Sequence, residues 1–181
     1  MKIVITGHTS GIGKALYDLM TEQGHTVVGL SRSNGFDLSK NIDMFLLKDW
    51  DIYINNAQYE FKQTELLYKL FEENKNRDCQ IINIGSVSSD NAGYRDYVNE
   101  YSVYKTALET ACSQLQFCDP DCKIILIKPG RTDTPLVAER VTYKIDPQYM
   151  AECIMWVMYQ PKRILVKSIT IDSMHSRRVE T

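Results

Sequence analysis

Met1-Lys-Ile-Val-Ile-Thr-Gly-His-Thr-Ser-Gly-Ile-Gly-Lys-Ala-Leu-Tyr-Asp-Leu-Met20 is the stretch whose reading decides the fold. Residues 2–6 are a short, apolar, β-branched run that stops at Gly7, and further glycines stand at 11 and 13. Ile12, Leu16 and Leu19 recur at helical spacing, so a helix begins near Gly11. A strand, a glycine turn and a helix N-terminus make an anion site, because free N–H groups and the helix dipole point at one place. Gly7 permits the tight turn, Gly11 lets backbone approach a pyrophosphate, and Gly13 lets the helix pack close to the strand. The spacing differs from the commoner G-x-G-x-x-G pattern. The competing reading is a plain βα turn rich in glycine, so context along the chain decides.

That context alternates strand and helix. Residues 25–30 read as a second buried strand, and residues 36–38 as no more than a stub of a third. A short helix is expected over 41–48, then a strand at 52–54 leading into Asn55-Asn56-Ala57. Leu66, Leu67, Leu70 and Phe71 mark a helix over 65–74. Residues 79–84 are another strand, and 90–99 a polar loop. A helix runs from Tyr101 to about Phe117, followed by a strand at 123–127 stopped by Pro129-Gly130. A short helix is expected over 133–140, a helix started by Asp146-Pro147 continues over 149–159, and a last strand covers 164–171. The fold class is α/β, a doubly wound parallel sheet covered on both faces. Ligands of such sheets sit beyond the carboxyl ends of the strands, where Gly7, Arg32, Asn56, Ser86 and Pro129 all fall.

Composition sets the outer limits. A chain of 181 residues is long enough for one domain that buries roughly 70% of its unfolded surface. We expect residues 1–172 to form it and 173–181 to be a loose polar tail. A net charge of -2 argues against a partner that is nucleic acid. No run reaches membrane-spanning length and no targeting peptide is visible. The cysteines Cys79, Cys112, Cys118, Cys122 and Cys153 are odd in number and form no C-x-x-C, so reduced thiols in a cytoplasmic protein are expected, with no metal site.

Tyr101 and Lys105 are four apart on the expected helix and share a face. A free tyrosine ionises near pH 10, too high for proton transfer at neutral pH. A cation about 5 Å away, at an effective dielectric near 20, stabilises phenolate by roughly 3 kcal/mol and would lower that pKa by about two units. Ser86, at the end of the neighbouring strand, can donate to a carbonyl or alkoxide. With a nicotinamide supplying hydride, the set fits carbonyl reduction or alcohol oxidation. As an isolated motif Y-x-x-x-K is common by chance, and Tyr94, Tyr97 and Tyr104 lie nearby. Arg32 ends the second strand, where an acid would hold a ribose 2′-hydroxyl and an arginine accommodates a 2′-phosphate. NADP(H) is therefore favoured over NAD(H).

Taken in order from end to end, these segments resemble the short-chain dehydrogenase/reductase family. Thr6-Gly-His-Thr-Ser-Gly-Ile-Gly13 resembles T-G-x-x-x-G-I-G, and Asp37-Leu38 the Asp-hydrophobic pair that contacts adenine. Asn55-Asn56-Ala57 is similar to N-N-A-G with Gln58 in place of the glycine. Asn83-Ile84-Gly85-Ser86 resembles N-I-S-S, Tyr101-Ser-Val-Tyr-Lys105 resembles Y-S-x-S-K, and Pro129-Gly-Arg-Thr-Asp-Thr134 resembles P-G-x-V-x-T. The resemblance implies that Tyr101 transfers the proton, Lys105 tunes it and holds the nicotinamide ribose, and Ser86 orients the carbonyl. It implies cofactor contacts from Gly7, His8, Thr9, Ser10, Gly11, Ile12, Asp37, Leu38, Asn56, Ala57, Pro129 and Gly130, with Thr132 and Thr134 on the carboxamide. It also implies a homo-dimer or homo-tetramer, since the two matching helices carry apolar residues on more than one face.

The chain departs from the family pattern in several places. It is short, and the loss falls between the second strand and Ser86. The family's catalytic asparagine has no clear counterpart, and counting back from Ser86 arrives near Gln58. Ser10 stands where many NADP-preferring members carry a basic residue. The usual glycine before the last strand is missing. The trimmed fold motivates a rival reading, a catalytically weak or inactive nucleotide-binding regulator or scaffold. A nucleotide-sugar epimerase or dehydratase would need a larger C-terminal substrate domain than this chain has room for.

Overall fold

The computed structural model describes residues 1–40, 48–94, 97–135 and 143–174. Six strands form one sheet: β1 (Lys2–Thr6), β2 (Thr26–Leu30), β3 (Ile52–Asn55), β4 (Gln80–Ile84), β5 (Lys123–Pro129) and β6 (Ser168–Ile171). All pairings are parallel, in the order β2-β1-β3-β4-β5-β6. The helices are α1 (Gly11–Glu22), α2 (Lys62–Asn74), α3 (Glu100–Gln116) and α4 (Pro147–Met158). α1 and α4 pack on one face and α2 and α3 on the other, so the inner strands alternate their side chains between two cores. In β1, Ile3 and Ile5 enter the α1–α4 core while Val4 enters the α2–α3 core. Full burial of each such side chain stabilises the fold by roughly 1.5–3 kcal/mol.

The chain reverses direction across the sheet at β1, which has β2 on one side and β3 on the other. The crevice at that switch point is where the glycine turn after β1 stands.

The region of the expected third strand differs from the sequence reading. Residues 36–38 form no strand; Phe36 and Leu38 are instead buried beside Leu30, Trp50 and Tyr53 in the α2–α3 core. β2 is therefore an edge strand. The last strand is also shorter than expected, beginning at Ser168, with Ile164 and Leu165 exposed. The polar loop expected from residue 90 is preceded and partly replaced by 3-10 turns over Val87–Tyr94. Helix α2 starts at Lys62, earlier than its apolar spacing suggests, while α4 starts where Asp146-Pro147 marks it. α4 opens at Pro147 because Asp146 caps it, its side chain accepting from the Gln148 N–H at 2.8 Å. Residues 41–47 of the short helix expected over 41–48, most of that over 133–140 and residues 175–181 of the tail lie outside the described residues. No described helix is long and apolar enough to cross a membrane.

Candidate active site

The glycine elbow is a backbone construction. Gly7 has φ of 71°, a left-handed conformation that side chains disfavour. A Cβ on Gly13 would collide with the Gly7 carbonyl and lie 2.6 Å from Asn56 Nδ2, so helix and turn meet only because Gly13 has no side chain. The turn is braced from β3. Asn56 Nδ2 donates to Thr6 O (2.9 Å) and Gly7 O (3.3 Å), and the N–H groups of Asn56 and Ala57 both donate to Thr6 Oγ1 at 2.9 Å. Thr9 and Ser10 are exposed at the tip, whereas Ile12 is buried in the α1–α4 core. Only the backbone of Ile12 is therefore free for a ligand. The ring of His8 packs on Tyr17 with centroids 5.1 Å apart, and its buried Nδ1 has no partner. On the far side, the Thr134 methyl borders Gly11.

Arg32 sits at the sheet edge, exposed on a 3-10 turn over Arg32–Asn34. Ser31 and Asn34 lock that turn: Asn34 Oδ1 accepts from Ser31 N at 2.8 Å and its Nδ2 donates to Gly29 O at 2.6 Å. Asp37 accepts from both the hydroxyl (2.8 Å) and the N–H (3.0 Å) of Ser39, which hold its carboxyl below the usual range. Leu38 is buried in the core. Pro129 ends β5 with Gly130 beside Asp172, and Thr132 is buried with its hydroxyl donating to Gly130 O at 3.2 Å.

Ser86, Tyr101 and Lys105 come together at the carboxyl end of β4. Ser86 lies two residues past the strand, and the segment after it is fastened to α3. Ser88 Oγ and Ser102 Oγ are 2.6 Å apart, and Ser89 Oγ donates to Glu109 at 2.6 Å. Lys128 from β5 ties Asp90 and Glu109 together. Ser86 is hydrogen-bonded to the Tyr101 hydroxyl. Lys105, one turn further along α3, places Nζ 5.6 Å from the centroid of the Tyr101 ring.

The electrostatics differ from the simple pairing argued from sequence. Burial raises the Tyr101 pKa, and the hydrogen bond with Ser86 opposes that rise. Burial outweighs the lowering argued from the lysine's spacing, and the ammonium's own hydrogen bonds run inward. Lys105 is 3% exposed and donates to Ile84 O at 2.7 Å and to Gln63 Oε1 at 2.8 Å. Both acceptors are neutral, and burial pulls the lysine down to about 7.

Gln63 was not among the residues singled out from sequence. Gln58, the position reached by counting back, is exposed and stands on the turn before α2. Yet a signal was present: Gln63 precedes Leu66, Leu67 and Leu70 by three, four and seven residues, which places it on the buried stripe of α2. A polar side chain on such a stripe needs partners. Among the described residues no group of His, Cys, Asp and Glu is arranged to hold a metal ion.

No family model matches the chain. An uncharacterized oxidoreductase of Staphylococcus aureus (strain N315) is 28% identical, over 93% of this chain and 95% of the relative. A similar uncharacterized oxidoreductase of Staphylococcus epidermidis is 24% identical over the same shares. The first alignment spans 223 positions, more than the 181 residues of this chain, so that relative carries segments this chain lacks. Among solved structures, a short-chain dehydrogenase from Burkholderia cenocepacia in complex with NADP superposes with a TM-score of 0.79 at 16% identity, covering 97% of this chain and 90% of the other. The 3-alpha-hydroxysteroid dehydrogenase from Pseudomonas sp. B-0831 complexed with NADH gives 0.77 at 20% identity, covering 95% of each chain. The fold is that of the Rossmann-type dehydrogenases. In fold and in the order of its motifs, the chain is similar to the short-chain dehydrogenases.

Proposed function

We propose that the protein is a nicotinamide-dependent oxidoreductase that interconverts a carbonyl and an alcohol on a small molecule, with NADP(H) preferred to NAD(H). The observation that carries this reading is the cluster of Ser86, Tyr101 and Lys105 past the carboxyl end of β4, on the same edge of the parallel sheet as a glycine elbow that accepts no side chain at Gly13. The elbow fits a dinucleotide: its backbone N–H groups and the start of α1 suit a pyrophosphate, and Arg32 stands past β2 where a 2′-phosphate would lie. A bound nicotinamide would supply or take the hydride.

The chain's own side chains would handle the proton and the oxygen. Ser86 would donate to the substrate oxygen and hold it beside the Tyr101 hydroxyl. Tyr101 would give its proton to that oxygen in reduction and take it back in oxidation. Lys105 would favour the phenolate while the proton is away. Residues 1–172 would fold as one domain, and the assembly we propose is a homo-dimer or homo-tetramer, checked by sedimentation velocity.

The test is a fluorescence titration of the purified protein with NADPH and NADH, beside an Arg32→Ala variant. NADPH should bind the more tightly, and the variant should weaken NADPH by about tenfold or more while leaving NADH unchanged, the cost of one charge-assisted contact. Binding of neither cofactor would overturn the reading. Equal loss of both in the variant would overturn the 2′-phosphate assignment.

A further inference from the structure

We propose that Gln63 is a positioning residue of this site, its buried side-chain amide fixing Lys105 Nζ on the end of β4 beneath Tyr101. Gln63 is 2% exposed and lies in the first turn of α2, only six residues of connection (56–61) after β3. That short link sets the start of α2 directly over the ends of β3 and β4.

Three of the amide's four hydrogen-bonding positions are engaged. Nε2 donates to Asn55 O (2.7 Å) and Ile84 O (3.0 Å), and Oε1 accepts from Lys105 Nζ (2.8 Å). The orientation of the amide follows from these partners. A flipped amide would set N–H against the lysine donor and oxygen against two carbonyl oxygens. The backbone is held as well, since Asn55 Nδ2 donates to Gln63 O and to Asn83 Oδ1, both at 2.9 Å. Lys105 is thus seated in a socket whose walls are a strand-end carbonyl and one amide oxygen, with a third ammonium proton left over for a ligand.

The choice of an amide has a chemical consequence. Tyr101, on the same helix, is the titratable side chain that faces Lys105 among the described residues. From α2 and β4 the facing groups are Gln63 and the Ile84 carbonyl, and neither carries charge. The amide therefore seats the lysine without cancelling its positive field at Tyr101, which a carboxylate in the same place would do. The contact itself is independent of the oxidoreductase reading; its effect on proton transfer rests on that reading.

The experiment follows the titration of Lys105 in the protein without added cofactor, by NMR with 13Cε-labelled lysine, assigned with Lys105→Met. Gln63→Met removes the acceptor at nearly constant volume, and the Lys105 titration should move down by about one pH unit. Gln63→Glu supplies a charged acceptor, and the titration should move up by at least about one unit. A residue that only filled space would not drive the two variants in opposite directions. Folded variants that both titrate where the wild type does would overturn the proposal. The wild type supplies a check that needs no variant: Lys105 titrating at the ordinary lysine value near 10.4 would place Nζ in solvent and overturn it too. None of these readings depends on NADPH binding, so failure here is distinct from failure of the proposed activity.

Discussion

Asn55 and Asn56 are neighbours at the end of β3, and they send their amides into two differently built halves of the site. Asn56 reaches back to Thr6 and Gly7 and braces a turn made of backbone. Asn55 reaches the other way, into Gln63 and Asn83, where the structure is made of side chains from β3, α2, β4 and α3. The division follows from strand geometry, since successive side chains point to opposite faces. The first half is rigid because a side chain would not fit; the second is fixed because its side chains hydrogen-bond to one another and to strand-end carbonyls, although the buried Asn55 Oδ1 has no partner. Steric exclusion and mutual satisfaction are different ways of holding a site, and they fail differently when altered.

The largest effect should come from a substitution that leaves both frameworks standing. Tyr101→Phe removes one hydroxyl and its bond to Ser86. Turnover on any carbonyl substrate reduced with NADPH should fall by about a thousandfold, the typical worth of a placed acid–base group. Cofactor affinity should change little. Unchanged turnover would mean that the side-chain half carries no proton, and the comparison would reduce to two kinds of scaffold.

Next is Gly13→Ala, which tests the half built by exclusion. The new Cβ meets the Gly7 carbonyl, which is backbone, and Asn56 Nδ2, a side-chain end pinned by its bonds to Thr6 O and Gly7 O. We expect about 3 kcal/mol of lost stability by urea denaturation, the upper range for overpacking, together with loss of NADPH binding. A variant as stable as the wild type would show that the elbow can shift, and that its rigidity comes from the Asn56 brace instead.

The two halves were unequally legible in the sequence. Gly7, Gly11 and Gly13 announce the elbow because glycine spacing encodes backbone conformation directly, and β1 and α1 follow from their periodicity. Tyr101 and Lys105 were legible as a pair because four residues along a helix fix their common face. Gln63 was not, since its meaning depends on where β4 ends and α3 begins, and those are distant in sequence. The ionisation of the pair was misread for the same reason. Charge at 5 Å can be argued from spacing, but the inward turn of Lys105 toward Ile84 O and Gln63 needs the fold. Phe36 and Leu38 suggested a strand stub, yet with so little chain after β2 they serve the core as plugs at the sheet edge.

A smaller effect sharpens the side-chain half. Lys105 releases its proton near 7 in the folded chain and near 10.4 when unfolded. Between those values the unfolded chain binds more protons, so this residue makes stability rise with pH. The slope is at most about 1.4 kcal/mol per pH unit. Below about pH 7 the lysine is charged in both states and the cost of burying its charge is fully present. Lys105→Met lacks this term. Its stability relative to wild type, from urea denaturation without cofactor, should therefore decline from pH 7 to 10. A flat difference would mean that Lys105 titrates near its ordinary value, with Nζ in solvent and not seated on Gln63 and Ile84 O.

The smallest effect belongs to neither half and serves as their reference. Asp146 caps α4 through the Gln148 N–H, on the face of the sheet opposite α2 and α3. Asp146→Ala should cost about 1 kcal/mol of stability, the usual value of such a cap. α4 packs on α1, and α1 begins at the elbow, so mechanical coupling between them would show as weakened NADPH binding in this variant. α1 meets the elbow through Gly13, however, where the fit is set by the absence of a side chain and not by the position of the helix's far end. Affinity should therefore stay within about twofold of wild type while stability drops, since distant and independent sites combine additively. A larger loss would mean that the exclusion at Gly13 depends on α4 holding α1 in place, and the elbow would then need the packing of the whole face.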